Sequence, residues 1–346
     1  MNNPNLTPEF ITDKEIGLEL AFFKNRVLLN AAYYQSSSTK QTLPISVSPT
    51  TGFTSTVINT GEMTNKGVEL DLKVSPIVKT RSGFRWDIGG NFSYNKNKVV
   101  SLIGDTKELF LGGSAYAIVG EAFPSIKVAD WQRDDAGHII VDKNTGYPTL
   151  DANPRFMGTA TPPMKVGIST SVSYKGFTFS ALADGRFGAV IENTIGGSLD
   201  FTGVSQYSVQ SGRQPFVIPN SVYFDGAKYV PNTSFNTQDG NIGFWASTWN
   251  TGASNYVNSA DFWKLREFSL GYAIPKKLLN GYIKAVSMQI TGRNLFTKKA
   301  KENVWSDPEF SNNTVASGQN VNVIGQTGIN EMPPSKFIAF SLNFTF

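Results

Sequence analysis

The chain has no cysteine in 346 residues. That absence excludes disulfide scaffolds, thiolate metal sites and cysteine nucleophiles. Histidine is almost missing: His138 stands alone, so a multi-histidine metal site cannot form and a Ser-His-Asp triad has little to build on. No run approaches 18 consecutive apolar residues, which excludes a transmembrane helix. No Lys/Arg cluster localises the mild net charge of +4, so nucleic acid is not expected as a partner. The opening Met1-Asn2-Asn3-Pro4-Asn5-Leu6 has neither a basic nor an apolar leader region and does not read as a signal peptide. Glycine and proline, at 32 and 17 residues, are at ordinary levels, which excludes collagen and low-complexity disorder. The mean hydropathy of −0.19 suggests a soluble protein, and the length suggests two domains.

What the chain does have is alternation. Ile338, Phe340, Leu342, Phe344 and Phe346 alternate with Ala339, Ser341, Asn343 and Thr345 to the last residue. This period of two reads as a strand with one apolar face. The same pattern recurs with Ile16, Leu18, Leu20 and Phe22; with Val68, Leu70, Leu72 and Val74; and with Phe84, Trp86, Ile88, Phe92 and Tyr94. It returns with Val166, Ile168, Val172 and Tyr174, and with Val286, Met288 and Ile290. Weaker segments lie at 26–36, 177–189 and 260–273. Together they predict about nine strands, most of roughly 9–12 residues. Ser75-Pro76-Ile77-Val78 and Pro275-Lys276-Lys277-Leu278-Leu279 read as short turns.

Connections alternate in length. Short ones surround Lys24-Asn25-Arg26, 75–83, Tyr174-Lys175-Gly176 and 274–284, and long ones span about 37–63, 97–163, 190–259 and 297–334. An antiparallel meander places every long loop at one end. Short turns opposite long loops, joined by roughly ten-residue strands, are the pattern of an outer-membrane β-barrel with its apolar face toward lipid. The competing all-β reading is a soluble or surface β-sandwich that binds glycans, in which the same apolar face forms a buried core. In a meander of nine, the first and last strands run parallel and cannot close a barrel. Bacterial single-chain barrels have even strand numbers, so either one strand is hidden or earlier strands are absent.

Six short passages point further. They are Asn3-Pro4-Asn5-Leu6 with Glu15-Ile16-Gly17-Leu18-Glu19-Leu20; Asn59 to Leu70, with Gly61 and Asn65-Lys66-Gly67-Val68-Glu69; and Asn91-Phe92-Ser93-Tyr94-Asn95-Lys96-Asn97-Lys98-Val99. Trp263-Lys264-Leu265-Arg266-Glu267-Phe268-Ser269-Leu270-Gly271-Tyr272 follows, then Gly292-Arg293-Asn294-Leu295-Phe296, then Ser306-Asp307-Pro308-Glu309. Each is weak alone. In this order the chain resembles the C-terminal barrel region of SusC/RagA-type TonB-dependent outer-membrane transporters of Bacteroidota. The resemblance implies a 22-stranded barrel, of which residues 1–346 form one partial domain without plug or earlier strands. It implies a SusD-like surface lipoprotein as partner, contact with the TonB complex through the missing part, and import of oligosaccharides or peptides. It also implies that Phe340, Leu342, Phe344 and Phe346 are read by the barrel assembly machinery before the protein meets outer-membrane lipid. No enzyme activity, cofactor or metal is expected.

Candidate ligand contacts are the loop aromatics Phe244, Trp245, Trp249, Tyr256 and Trp305, because sugar C–H faces stack on aromatic rings. Phe310 belongs to the same set, and Asn241, Asn250, Asn255 and Asp307 could supply hydrogen bonds. The alternative for all of them is loop-to-loop packing. Glu15, Glu19, Glu69, Asp71, Lys73, Arg85, Asp87 and Arg293 are expected on the polar, lumen-facing side, paired across strands or holding the plug. Residues 134–148 read as an extracellular hairpin with His138 at a solvated turn. A calcium loop from Asp142 falters because its twelfth position is Asn153, where a glutamate is wanted.

Overall fold

A computed structural model describes residues 3–59, 61–79, 83–240, 242–279, 281–309, 323–329 and 334–346. Asn241 and Phe310 lie outside the described residues. Nine strands form one sheet: β1 (Phe10–Phe22), β2 (Val27–Thr39), β3 (Gly61–Lys79), β4 (Phe84–Leu102), β5 (Met164–Tyr174), β6 (Phe177–Phe187), β7 (Phe262–Ala273), β8 (Ala285–Lys299) and β9 (Phe337–Thr345). Each pairs antiparallel with its neighbours in chain order, and β1 and β9 stand at the two ends of the sheet.

The turns follow local chemistry. Between β5 and β6, Lys175 (φ 47°) and Gly176 (φ 89°) both take positive φ, the two-residue turn whose twist matches that of the strands. The register on either side is unbroken, from Tyr174 opposite Phe177 to Met164 opposite Phe187. The four long connections are not structureless. Ser125–Val128 pairs with both Arg155–Thr159 and Ala115–Ile118. Val190–Asn193 joins Val257–Ser259 and Gln326–Thr327, stitching the last two long loops together.

Two strands run longer than the sequence pattern indicated. β3 and β4 have 19 residues each, or about 60 Å at roughly 3.3 Å per residue. A membrane crossing needs only about 9–11. β4 outruns β5 at the long-loop end, where Val99 and Leu102 are covered by Leu111, Ala115, Ala117 and Val323, and β3 outruns β2 at the other end, beyond Val74. There, Ser75–Val78 is not a turn. It lies within β3, where a bulge between Val74 and Ile77 absorbs Pro76, because an irregular ladder position tolerates a residue without an N–H. Lys276–Leu278 does form a short 3-10 turn.

Exposure separates the two architectures left open by periodicity. The alternating residues of the sheet are largely solvent-facing: Ile16 is 72% exposed, Ile168 48%, Ile338 70% and Phe340 69%. The well-buried apolar side chains lie mostly in the loops, among them Ile126, Trp131, Ile191, Ile218 and Phe244. A β-sandwich requires the reverse. Each such side chain is worth about 1.5–3 kcal/mol when removed from water, so a continuous band of them requires an apolar neighbour. The sandwich reading fails on this point.

Gly67, in the middle of β3, has a specific occupant above it. The Tyr34 ring on β2 lies where a Cβ would sit, and the two residues are directly paired in the register.

Candidate functional site

The long-loop end carries the polar and aromatic groups that could meet a ligand. Its wall is built by an irregularity in β7. The register steps from Leu182 opposite Glu267 to Ala183 opposite Leu265, leaving Arg266 as an extra residue. A bulge of this kind re-aims side chains, and here Arg266 joins Lys264 and Asp184 in one ionic cluster. Arg266 forms a fork with the carboxylate of Glu309, Nη1 to Oε2 and Nη2 to Oε1, each 2.6 Å. Its other edge meets Asp184. Lys264 Nζ, on a side chain only 3% exposed, donates to Glu309 Oε2 and contacts Asp307 Oδ1, both at 2.7 Å. Arg186 Nη2 adds a contact of 3.0 Å to Glu309 Oε1. Burial alone would raise the Glu309 carboxyl, but the hydrogen bonds from Arg266 and Lys264 outweigh it and bring the pKa down to about 2.

Thus Lys264-Leu265-Arg266 and Asp307-Pro308-Glu309, separated by more than 40 residues, are the two halves of one clamp. Asp307 holds the loop to the wall. The sequence signal lay in the joint presence of two basic and two acidic positions at spacing two; Pro308 and Glu309 lie in a turn and Arg266 is the extra residue of a bulge, so strand alternation does not bring them together.

Other motif residues are staples of the same kind. Asn97 Nδ2 donates to the Phe123 carbonyl at 2.7 Å and its Oδ1 accepts the Phe123 N–H at 2.9 Å. Asn59 accepts the Thr7 N–H and returns a bond to the Thr7 carbonyl, both 2.9 Å, and Asn3 Nδ2 donates to the Val57 carbonyl. Asn294 takes a positive φ of 53° where the β7–β8 register shifts, the left-handed conformation asparagine tolerates best among side-chain-bearing residues.

The loop aromatics divide into two groups. Phe244, Trp245 and Tyr256 are buried, at 0%, 7% and 4% exposure. Phe244 stacks on Trp249 at 5.7 Å and meets Phe216 edge-on at 5.2 Å. Trp245 Nε1 donates to the Gly240 carbonyl at 3.1 Å. Tyr256 donates to Asp200 Oδ2 at 2.6 Å, and burial first, then this bond, drives its hydroxyl pKa upward. Burial likewise raises the Asp200 carboxyl despite bonds from Ser205 and Tyr256. These three rings pack loop against loop, rather than offering whole faces for sugar stacking. Asn255 is similarly engaged, accepting from Trp131 Nε1 at 3.0 Å and donating to the Trp249 carbonyl at 2.9 Å. Trp249 and Trp305 are half-buried. Trp305 lies 5.3 Å from Tyr207 and 5.9 Å from Tyr256.

A cavity of about 480 Å³ opens beside this cluster, lined by Tyr207, Phe216, Ile218, Phe244, Trp245 and Trp249, with Ser211 and Gln210 among its polar neighbours. The outer hairpin binds itself together. Asp142 Oδ1 accepts from Asn144 N and Thr145 N, each 2.8 Å, and His138 Nδ1 lies 2.9 Å from Asp134 Oδ2. Deeper in, Asp130 Oδ1 accepts from Ser254 Oγ at 2.6 Å and from Arg133, and its Oδ2 accepts from Arg155. Burial opposes ionisation of Asp130, but the bonds from Arg133, Ser254 and Arg155 hold it well below the usual carboxylate range.

On the polar face of the sheet, Glu19, Asn30, Asp71 and Asn91 form one continuous cross-strand row. Glu15, Glu69 and Lys73 line the same grooves. Arg85 pairs with Asp87 at 2.6 Å within β4, and Arg293 with Glu267 at 2.9 Å across β7 and β8. Among the described residues Glu15, Glu19, Glu69 and Asp71 form no salt bridge. Phe344 and Phe346 stack at 6.5 Å on the apolar face at the chain end. Phe340 and Leu342 share that face, opposite Ile290 and Met288.

A family profile described as TonB dependent receptor-like, beta-barrel matches residues 1–295. The chain is similar to TonB-dependent receptor P26 of Formosa agariphila, with 26% identity over 381 residues, covering 100% of this chain and 35% of that protein. TonB-dependent receptor P3 of the same organism is 24% identical over 327 residues, covering 85% of this chain and 30% of its own length. The chain thus spans about a third of the length of the curated relatives it matches. Among solved structures, the RagAB peptide transporter superposes with a TM-score of 0.71 at 20% identity, over 99% of this chain and 36% of that one. The RagAB peptide importer in the 'open-open' state gives 0.65 at 22%, over 99% and 35%. These structures share its fold: an all-β architecture dominated by a large antiparallel sheet. By a profile match over most of its length, the chain belongs to the TonB-dependent receptor-like β-barrel family.

Proposed function

We propose that residues 1–346 form the C-terminal part of a 22-stranded outer-membrane barrel that imports oligosaccharides or peptides, powered through TonB and working with a SusD-like surface lipoprotein. The observation that carries this reading is the division of the molecule. An exposed apolar band runs along nine paired strands, while most of the buried apolar side chains, the ionic cluster around Glu309 and the aromatic cavity gather at the long-loop end. A lipid-embedded wall with a recognition surface above it has this division, and a freely soluble binding module does not. The matching relatives named TonB-dependent receptors and the fold shared with a peptide transporter support the same assignment. In this reading Trp249, Trp305 and Asp307 stand nearest the ligand path, and Phe244, Trp245 and Tyr256 hold the loops in shape. Glu15, Glu19, Glu69 and Asp71 face the lumen and supply acidic contacts for the plug.

The test is cellular. The full-length protein should sediment with the outer membrane and migrate faster unboiled than boiled in electrophoresis. Its deletion should remove growth on an oligosaccharide or peptide source that depends on an intact TonB. Recovery as a detergent-independent soluble monomer would defeat the proposal.

A further inference from the structure

On the apolar side of the wall, the band of β1–β4 ends in a row of lysines. The last apolar row toward the long loops is Ile16, Tyr33, Val68 and Tyr94, paired directly from strand to strand. The next row up is Lys14, Gln35, Lys66 and Lys96, again in direct register. The two rows are two residues apart, so the pleat puts them on one face. Lys14, Lys66 and Lys96 are exposed. Among the described residues none of the three forms a salt bridge. Glu62 is the one carboxylate that alternation places on this side of the four strands; it lies two rows above Lys66 and accepts from Ser37 Oγ at 2.9 Å. Lys66 and Lys96 therefore stand directly opposite each other with no carboxylate in their row. Like charges so placed repel and cost stability, a cost that an anion from outside the chain removes.

We propose that Lys14, Lys66 and Lys96 bind the phosphorylated saccharide headgroup of the glycolipid in the outer leaflet of the membrane. The inference rests on the outer-membrane reading and adds a lipid site to it. Three observations select the occupant. The first is height. Tyr33 and Tyr94, 47% and 42% exposed, lie at the level where aromatic rings mark the boundary between hydrocarbon and headgroups, so the row above them is level with the headgroups. The second is the face. The acidic residues Glu15, Glu19, Glu69 and Asp71 occupy the opposite side of the same strands, and a ligand in the lumen does not reach the lysines. The third is extent. The row crosses three inter-strand steps, about 14 Å, along the membrane surface. That suits a headgroup of more than one sugar ring, with phosphate on the lysines and hydroxyls on the Gln35 amide, better than a single small anion.

The experiment uses the full-length protein in detergent and three probes: phosphorylated lipid A, the same lipid A with its phosphate removed, and phosphatidylglycerol. Binding is read by titration in native mass spectrometry. Phosphorylated lipid A should bind at least fivefold more tightly than either of the others. Each lysine near a lipid phosphate contributes about fivefold, so the triple variant Lys14→Gln, Lys66→Gln, Lys96→Gln should weaken phosphorylated lipid A at least twentyfold. A charge-matched triple at the short-turn end, Lys24→Gln, Lys276→Gln, Lys277→Gln, should stay within twofold of the unsubstituted protein, and Lys66→Arg with Lys96→Arg should retain binding. Without lipid, the thermal midpoint of the row triple should hold or rise because the like-charge pair is gone, which separates lost binding from misfolding. Equal binding by the row triple and the unsubstituted protein, or equal binding of phosphorylated lipid A and either other lipid, overturns the site. Loss of a co-purifying protein from the row triple with lipid A binding intact would overturn it too, as a protein interface. Sedimentation of the row triple with the outer membrane reports on the membrane reading independently, since the wall inserts whether or not the site exists.

Discussion

Arg266 and Glu309 face each other across a fork of two contacts, both 2.6 Å, although 43 residues separate them in the chain. Planar pairing of this kind is the strongest geometry available to a guanidinium and a carboxylate. Here it ties a long loop to the barrel wall. Both partners are mostly shielded, Arg266 at 24% and Glu309 at 17% side-chain exposure, so removing one strands the other. Breaking a fully buried pair costs about 3–5 kcal/mol. With Asp184 and Asp307 still nearby, Glu309→Gln should cost about 2 kcal/mol, read as a lower midpoint for heat-induced proteolysis within residues 300–309. Arg293→Gln breaks a pair that is 59% and 39% exposed and should shift the midpoint by less than about 1 kcal/mol. Equal effects from the two substitutions would refute the clamp.

The same carboxylate sets an acid limit. In the folded chain Glu309 sits at about 2, below its ordinary 4.5. A depressed carboxyl contributes stability that is fully present above the ordinary pKa and is lost as pH falls through the folded one. Protection of the 300–309 backbone from hydrogen exchange, corrected for intrinsic rate, should therefore hold from pH 7 to about 5 and decline between about 4.5 and 2. Buried Asp200, whose pKa is raised, acts in the opposite sense and is most stabilising when protonated. Loss of protection already at pH 6 would place control in another group.

How much of this was readable in advance depends on whether a single period governed the residues. Ile16, Leu18, Val68, Leu70 and Phe340 obey a period of two imposed by the pleat, so strands, faces and long-loop placement were legible from the chain alone. Ser75–Val78 looked like a turn because Pro76 breaks ladders, and only the pairing with β4 shows a bulge absorbing it. For Phe244 and Tyr256 the chain alone left ligand contact and loop packing both open, because an aromatic in a loop carries no period and its exposure depends on which distant segments fold over it. The clamp lay between. Lys264, Arg266, Asp307 and Glu309 stood out as motif residues, but their partnership required the extra residue at Arg266, which no local pattern announces.

Gly67 gives a test of the sheet itself. Its position opposite Tyr34 leaves the phenol ring lying where a side chain would go, the arrangement by which an aromatic covers a bare strand glycine. Gly67→Val should displace the ring and destabilise the wall by about 1–3 kcal/mol, the usual cost of overpacking, lowering the yield of folded, unboiled-migrating protein. Tyr34→Ala combined with Gly67→Val should recover much of that yield, because the clash is then gone. If the double variant is as poor as the sum of the singles, the ring is not what requires glycine at this position.

The chain end offers the last prediction. Phe340, Leu342, Phe344 and Phe346 project from one side of β9 and are 69%, 47%, 50% and 74% exposed. Phe346 lies beyond the last paired residue, Thr345 opposite Ala285, so it contributes little to the ladder. Phe346→Ala should therefore leave the stability of already assembled protein nearly unchanged. If the terminal aromatic is read by the barrel assembly machinery, the same substitution should lower the amount reaching the outer membrane several-fold, measured by pulse-chase fractionation. Phe340→Ala, within the paired strand, should reduce both quantities. Parallel loss of stability and assembly in Phe346→Ala would mean that the ring serves packing rather than recognition.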